Sequence, residues 1–378
     1  QRPVLGGAQG HVPPLEGELS GEFLPLLLPG APPLRWKFTL AAARPGERTV
    51  SGAIDSLGLK VRGSAVLDPF GDGTWRLEEG RVDLGEWFGW LVPRLMPDSP
   101  GASLTGQLSM RGDGTWRDGA VAGQAEISIQ DARFEDPALH VVLEGLNVRL
   151  VLADLQKPRT AGTQELTWRS GKYDMLPLGA GRVEFAVDGE EVRLVAATVA
   201  IFGGDFRVES MVWSTRNADF SATAQVRGLE IGQMLFLLPP VLSAAEGRLD
   251  GQLAIRRDAA GLQIGDGWLA LRPGETADLR MMPTPGLLSS QLPAAVKVHY
   301  PGLGQMETGG IPLRAEQLEV ILTPRGDAQG RSAAVQIKGG PADPSLKAPV
   351  VLQLNVRGPL DQVVKVGTNS RLRFGGGK

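Results

Sequence analysis

The stretch 203–274 opens with Gly203-Gly-Asp-Phe-Arg-Val208 and Phe220-Ser-Ala-Thr-Ala-Gln-Val226, in which polar and apolar residues alternate. A short apolar segment follows, Gly232-Gln-Met-Leu-Phe-Leu-Leu238, and Pro239 ends it. The chain then continues with Ala245-Glu-Gly-Arg-Leu-Asp-Gly-Gln-Leu253 and Gly265-Asp-Gly-Trp-Leu-Ala-Leu-Arg-Pro-Gly274. Alternation with a period of two is typical of a half-buried β-strand. The stretch therefore predicts a unit of strand, apolar plug and strand.

A similar unit precedes this one in the chain. Leu84-Gly85 opens the plug Glu86-Trp-Phe-Gly-Trp-Leu-Val92, as Ile231-Gly232 opens the later plug, at an offset of 231 − 84 = 147. Leu104-Thr-Gly-Gln-Leu108 matches Leu249-Asp-Gly-Gln-Leu253 at an offset of 249 − 104 = 145. Two ordered matches at nearly equal offsets favour an internal duplication. The alternative is a chance match between two glycine-rich β-segments.

Composition excludes several classes of protein. The formal net charge is −3, with fewer Lys and Arg than Asp and Glu, whereas a nucleic-acid binder presents a basic face. No cysteine is present, which excludes disulfides and thiolate chemistry. The 51 glycines and 28 prolines lack a three-residue period and are typical of many turns between short strands. The apolar runs are too short to span a bilayer as helices.

The fold class follows from the number of alternating strands. Such strands form antiparallel sheets with one apolar and one polar face, and too little helix is predicted to cover the apolar face. We therefore expect a mainly β protein, an elongated and curled antiparallel sheet that forms an open groove and carries a few short apolar helices. A β-sandwich-like pair of repeats is the alternative. We expect one continuous array in three parts, 1–74, 75–200 and 201–378.

Other local patterns predict the remaining elements. A loop or helical turn is expected at Phe23–Leu28, a third short helix at Thr284–Ala295, and strands at Val296–Tyr300 and Val350–Val356. His140 and His299 fall on the polar phase of predicted strands, which indicates solvent-facing side chains.

The plugs supply the first candidates for a functional role. They are apolar almost all round, as expected for a buried segment or for one facing lipid, so each is either a core-filling helix or a gate. The candidates for the groove or its gate, from both plugs and the strands around the second, are Trp87, Phe88, Trp90, Leu91, Phe220, Met234, Leu235, Phe236, Leu249, Leu253, Ile255 and Trp268.

Catalytic and metal-binding patterns are not found in the sequence. The three histidines lie far apart and none has a second ligand at metal spacing. Adjacent carboxylates such as Glu78-Glu79 point to opposite faces of a strand and form no catalytic pair. There is no nucleophile elbow or phosphate-binding loop. We therefore predict a protein without enzymatic activity, metal or cofactor.

Four segments of the opening stretch resemble the C-terminal region of YdbH-like proteins, of the AsmA-like and TamB-like bacterial envelope group. They are Gly203-Gly204, Leu229-Glu-Ile-Gly232, Glu246-Gly-Arg-Leu-Asp-Gly-Gln-Leu253 and Gly265–Gly274. The resemblance is clearest over 200–275 and weaker over 75–150 and 296–356. A "dicarboxylate transport" label that some descriptions give to this region is not taken as a clue to function.

The resemblance implies a groove that carries phospholipid acyl chains between the inner and outer membranes of a diderm bacterium. It also implies a periplasmic location in the cell envelope, anchored to the inner membrane by an N-terminal segment. Since the chain starts at Gln1 without an initiator Met, we expect a fragment of a longer protein. The resemblance further implies a small outer-membrane lipoprotein that adds a strand to the C-terminal edge, for which Val350, Leu352, Leu354 and Val356 are candidates.

Two other functions compete with lipid transport. A closed β-core without a ligand would indicate an envelope scaffold or assembly protein. A glycan-acting or hydrolytic enzyme on a β-solenoid would need clustered carboxylates and aromatic side chains on one exposed face, a pattern that the sequence does not show.

Overall fold

The chain is mainly β-structure, with 66% of it in strands and only short helices between them. The computed structural model describes residues 16–23, 32–44, 47–96, 99–214, 219–237, 241–258, 261–290 and 292–357. The chain divides into unit 1, residues 1–168 with 186–189, and unit 2, residues 169–185 with 190–378. The prediction of a mainly β, antiparallel fold with few short helices is confirmed. The three-part division of the chain stays a prediction.

Unit 1 is a meander in which successive long strands pair antiparallel. One helix interrupts it between the fifth and sixth strands. The elements are β1 (Gly17–Phe23), β2 (Leu34–Arg44), β3 (Glu47–Ser56), β4 (Leu59–Leu67), β5 (Gly73–Asp83), α1 (Leu84–Leu95), β6 (Ser103–Arg117), β7 (Ala120–Asp136), β8 (Val141–Asp154), β9 (Arg159–Thr160) and β10 (Gln164–Trp168).

The remaining elements follow in chain order. They are β11 (Ser170–Tyr173), β12 (Leu176–Leu178), β13 (Gly181–Asp188), β14 (Glu191–Ile201), β15 (Gly204–Ser214), β16 (Phe220–Glu230), α2 (Ile231–Met234), a 3₁₀ turn (Leu235–Leu237), β17 (Leu242–Glu246), β18 (Arg248–Asp258), β19 (Gly261–Leu271), β20 (Ala277–Met281), α3 (Ala294–Lys297), α4 (Pro301–Glu307), β21 (Leu313–Leu322), β22 (Arg331–Pro341) and β23 (Val350–Arg357). Within unit 2 the antiparallel ladder runs β14–β15–β16–β18–β19–β21–β22–β23, and β20 pairs with both β17 and β21.

Unit 2 holds the main hydrophobic core. Leu229, Leu279 and Leu313 from its strands are each 1% exposed, and Met306 of α4 is fully buried among them. Helix α4 packs against β20 and β22, so it covers the apolar face of the sheet at this place. Here the sheet has a closed core.

Each unit contains a strand that runs directly into a helix. A glycine with strongly positive φ follows each helix, Gly106 within β6 at +133° and Gly247 between β17 and β18 at +135°, and we treat the two as equivalent. A Cβ at Gly106 would lie 2.9 Å from that of Ala132, and a Cβ at Gly247 would lie 2.6 Å from that of Ala277. The two glycines are separated by 247 − 106 = 141 residues. The sequence match of Leu104 with Leu249 has an offset of 249 − 104 = 145, so it does not align these two glycines. The segments between helix and strand differ in length, which the sequence comparison did not register.

Two predicted elements near α4 are wrong. Val296–Tyr300 is not a strand, because α3 ends at Lys297 and a turn leads to α4. Within Thr284–Ala295, residues 285–290 are turn, and helix begins only at Ala294. His140 and His299 are exposed as expected, but both lie in turns and not on strands. The predicted turn at Phe23–Leu28 lies outside the described residues beyond Phe23, which ends β1.

Candidate functional site

A continuous apolar surface crosses unit 1, and the strand register defines it. Residues directly opposite each other in an antiparallel ladder project from the same face. The row that we call the apolar row crosses β2 to β8 and contains no polar side chain. Its members are Trp36, Ile54, Val61, Gly80, Met110, Ile127 and Leu150, each paired with the next.

The neighbouring row lies on the opposite face and is entirely polar, because one step along a strand reverses the side-chain direction. Ion pairs connect its side of the sheet: Glu126 binds both Arg111 and Arg149, the latter at 2.8 Å. The hydrogen bond from Arg111 holds the pKa of the Glu126 carboxyl below its ordinary value. The row consists of Arg35, Asp55, Lys60, Arg81, Ser109, Ser128, Arg149 and Glu165.

The apolar row is only half-buried, apart from its glycine, which is buried. Between Phe38 and Leu77 the same face forms a concave site of about 260 Å³, open to solvent. Gly52 lies beneath the Phe38 ring, which would collide with a Cβ at that position. The missing side chain at Gly52 therefore makes room for the Phe38 ring within the site. Half-buried apolar side chains that line a concave site favour an apolar ligand.

Helix α1 is held in place by its N-cap residue, Asp83, and by two of the predicted residues, Trp87 and Phe88. Asp83 caps it by accepting a hydrogen bond from the Gly85 N–H at 2.9 Å. The Trp87 indole N–H donates to the Leu57 carbonyl at 2.6 Å, and Trp87 and Phe88 are 6% and 8% exposed. Among the other two candidates of this plug, Trp90 is 37% exposed and Leu91 is half-buried.

The second plug is shorter than the first and only partly helical. Met234 is half-buried against the core of unit 2, and Leu235 is half-buried at the start of the 3₁₀ turn. Phe236 is 47% exposed, with its ring centroid 6.0 Å from that of Phe202. Leu238 and Pro239 lie outside the described residues.

The strand candidates of unit 2 fall on two different faces. Leu249 and Leu253 are 3% and 6% exposed in the closed core, and the register places Phe220 and Ile255 on the same face, half-buried. Trp268 pairs with exposed Gln252 and is itself 44% exposed. It therefore projects from the opposite face and does not share a surface with the other candidates.

The C-terminal candidates lie on β23, which pairs with β22 on one side. Val350 is buried, Leu352 is half-buried and Leu354 is 43% exposed. Val356 is part of the strand, and its side chain lies outside the description. In the part of the chain that the structure describes, the other edge of β23 has no paired strand.

The ionisable groups of unit 2 form structural ties. Asp250 accepts hydrogen bonds from the Arg272 guanidinium at 2.7 Å and the Gly228 N–H at 2.6 Å, and the bond from Arg272 is the main cause of its lowered pKa. Within the described ranges, no group of three or more acidic, histidine or cysteine side chains has the arrangement of a metal site. No helix found in those ranges has the length and apolarity needed to traverse a bilayer.

Sequence reasoning missed most of the apolar row. Residues such as Ile54, Met110 and Ile127 follow the alternation of their strands, but the same alternation occurs in many other strands of the chain. Only the pairing register shows that they stand side by side. The interpretation concentrated on the plugs because aromatic residues cluster there.

Comparison with known proteins gave one match. The family model described as YdbH-like, intermembrane phospholipid transport protein YdbH, matches residues 27–280, which is well over half of the chain. No curated protein and no solved structure matches the chain.

Proposed function

Because the chain belongs to the YdbH-like family of intermembrane phospholipid transport proteins, we propose that the apolar face of unit 1 binds phospholipid acyl chains during their passage between the inner and outer membranes of a diderm bacterium. The observation that carries this proposal is the apolar row. It crosses seven strands without a polar side chain, and its large members are half-exposed to solvent.

The chemistry of acyl chains fits such a surface. Each methylene removed from water contributes about 0.8 kcal/mol, so a single chain gains several kcal/mol from a dry, continuous contact. No polar group needs to be placed on the face, because the headgroup can remain in water. This agrees with a transport role in which no bond of the lipid is broken.

A scaffold role is the second candidate, and the closed core of unit 2 favours it for that unit. Leu253 and Leu249 are buried there by the protein's own side chains. A sheet whose core is closed can act as a scaffold in an assembly and needs no bound lipid. The two functions make different predictions about bound lipid.

Location and partners follow from the proposed function. We infer a place in the cell envelope, with attachment to the inner membrane through a segment outside this chain. The exposed edge of β23, with Leu354 on it, suits addition of a strand from a small outer-membrane lipoprotein. A photo-crosslinking residue at position 354 should give an adduct with such a lipoprotein, and its consistent absence in cells would remove this partner.

The test of the main proposal is native mass spectrometry of the purified chain. We expect masses that correspond to bound phospholipid, released by organic extraction and identified by their fragments. Protein that is free of lipid after purification, and that takes up none from vesicles of phosphatidylethanolamine and phosphatidylglycerol, would instead favour the scaffold.

A further inference from the structure

The two units differ at one equivalent connection. In unit 1 the short turn 137–140 joins β7 to β8. In unit 2 the segment 282–312, which carries α3 and α4, joins β20 to β21. The equivalence rests on Gly106 with Ala132 and Gly247 with Ala277. We call 282–312 the insert.

The insert places apolar side chains over the sheet of unit 2. Met306 is 0% and Leu303 is 8% exposed, within the same cluster as Leu279 of β20 and Ile337 of β22. Phe134, which occupies in unit 1 the place that Leu279 occupies in unit 2, is only half-buried. Phe134 packs against a smaller cluster that includes Phe88 and Val92 of α1, so α4 covers its surface more completely than α1 covers the counterpart in unit 1.

Polar contacts hold the insert together internally. The Glu307 carboxylate accepts hydrogen bonds from the Leu288 N–H at 2.9 Å, the Ser289 N–H at 3.2 Å and the Ser289 hydroxyl at 2.8 Å. The Thr284 N–H donates to the Glu307 carbonyl at 2.8 Å. All of these partners lie within the insert. Its two ends are tied to neighbouring residues, because the Arg280 guanidinium of β20 donates to the Gly309 carbonyl at 2.8 Å and the Met282 N–H donates to the Val241 carbonyl at 2.8 Å.

The contact between α4 and the sheet is of another kind. Leu303 and Met306 meet β20 and β22 through apolar atoms, which an acyl chain can replace with equivalent contacts. Gly309, two residues after the end of α4, has a φ of +75°, and Arg280 of β20 holds its carbonyl, so it is a fixed point about which α4 can turn.

We propose that α4 is a displaceable plug over an acyl-chain site on β20–β22 of unit 2, and that phospholipid reaches this site when α4 lifts. The inference rests on the proposed function and adds a second lipid site with a means of controlling it. The ligand class is the acyl chain of a glycerophospholipid.

A disulfide can hold the plug closed. A Cβ built at Gly302 lies 3.5 Å from the Cβ of Ala348, and disulfides need a separation of about 3.5–4.5 Å. The same Cβ lies 2.9 Å from Cγ of Pro341, so the proline ring must shift slightly to admit the cysteine. Since the chain has no cysteine, Gly302→Cys with Ala348→Cys can form only this bond within one molecule. The single Ala348→Cys variant is the matched control.

The readout is labelling by phosphatidylethanolamine with a diazirine on its acyl chain, supplied in vesicles and mapped by mass spectrometry of peptides. Labelling of β20–β22 should fall on the order of tenfold in the oxidised double variant. The disulfide prevents α4 from lifting, so the lipid cannot bind the state in which the site is open. Reduction should restore it, and peptides of the unit 1 face should be labelled equally in both states.

Equal labelling of β20–β22 in the oxidised and reduced forms would overturn the plug. Labelling of unit 1 without any labelling of β20–β22 would also overturn it. Lack of label in both units would overturn the proposed function as well. Met306→Ala provides an independent test, because a looser α4 should raise labelling of β20–β22 and leave unit 1 unchanged; unchanged labelling there would count against the plug.

Discussion

Leu253 and Trp268 lie on neighbouring strands of one ladder and project from its opposite faces. Leu253 pairs with Gly267 and is 6% exposed, whereas Trp268 pairs with Gln252 and is 44% exposed. A one-residue step thus separates the core of unit 2 from solvent. Truncating the two side chains should therefore lower the free energy of unfolding by very different amounts.

Leu253→Ala should lower the free energy of unfolding by about 2–5 kcal/mol, because it leaves a cavity in a closed core. Trp268→Ala should change it by only about 0.5 kcal/mol, as substitutions at exposed positions do. Urea denaturation followed by circular dichroism measures both. Equal losses in the two variants would show that Trp268 is not free of the core.

Ile54→Glu should reduce retained phospholipid roughly tenfold, which corresponds to about 1.4 kcal/mol. The charge would lie in the apolar row. An acyl chain that binds there would have to remove water from the charged carboxylate, which costs free energy. Ile54 is half-buried, so folding should survive the change. Lipid extraction with quantitative mass spectrometry measures the retained phospholipid.

Ser51→Glu is the matched control for that experiment, because it adds the same charge to an exposed position on the other face of β3. Its lipid content should equal that of the unaltered protein. An equal loss in both variants would mean that net charge, and not the apolar face, governs retention.

Gly106→Ala and Gly247→Ala should each destabilise the chain by about 1–3 kcal/mol, since both residues have a positive φ that alanine adopts at a cost. In addition, the new methyl group would meet Ala132 or Ala277. Thermal unfolding should show the two losses to be similar, as expected for equivalent positions.

Gly89→Ala should have the opposite effect on the stability of the chain. Gly89 lies in α1 with no atom within 4 Å of an added Cβ, so alanine should stabilise the helix by about 0.5–1 kcal/mol. Stabilisation at Gly106 or Gly247 would contradict the conformation assigned to them.

The packing of α4 should weaken in acid. Burial acts to raise the pKa of Glu307, but hydrogen bonds from the Leu288 N–H and the Ser289 hydroxyl outweigh it, so the pKa lies below its ordinary value. A carboxyl with a lowered folded pKa adds stability above its unfolded pKa of about 4.3. That stability is lost as the pH falls through the folded pKa.

Hydrogen–deuterium exchange of residues 301–307 should therefore accelerate below about pH 4, relative to intrinsic exchange. Glu307→Gln should remove most of this pH dependence, because the amide does not titrate. If the variant retained the same profile, another group would control the insert.

Much of the fold could be predicted from the sequence where local pattern and tertiary environment agree. The plug at Leu84–Val92 forms α1, and Phe220–Val226 lies within β16, because alternation or continuous apolarity matched the burial of those segments. Helix α4 was missed because Gly302 and Gly304 are poor helix formers, and the burial of Met306 compensates for them. Pro301 stands at the start of the helix, where proline is well tolerated.

Alternation also failed in two instructive ways. Val296–Tyr300 alternates, but the chain there is helix and turn, and Val298 is 78% exposed. At Trp268–Leu271 every residue is apolar, so the pattern does not state which face is buried. Burial on one face is a property of the assembled sheet and not of one strand.

The uniformity of the apolar row has a kinetic consequence. Its strands repeat about every 4.8 Å, and from Ile54 to Leu150 every step except Gly80 offers a flexible, non-aromatic apolar side chain, so no position there should hold a hydrocarbon chain much more tightly than the next. Such a surface allows diffusion with low barriers in either direction. Net flow would then be set by the difference in chemical potential between the two membranes, or by components that load and unload the ends.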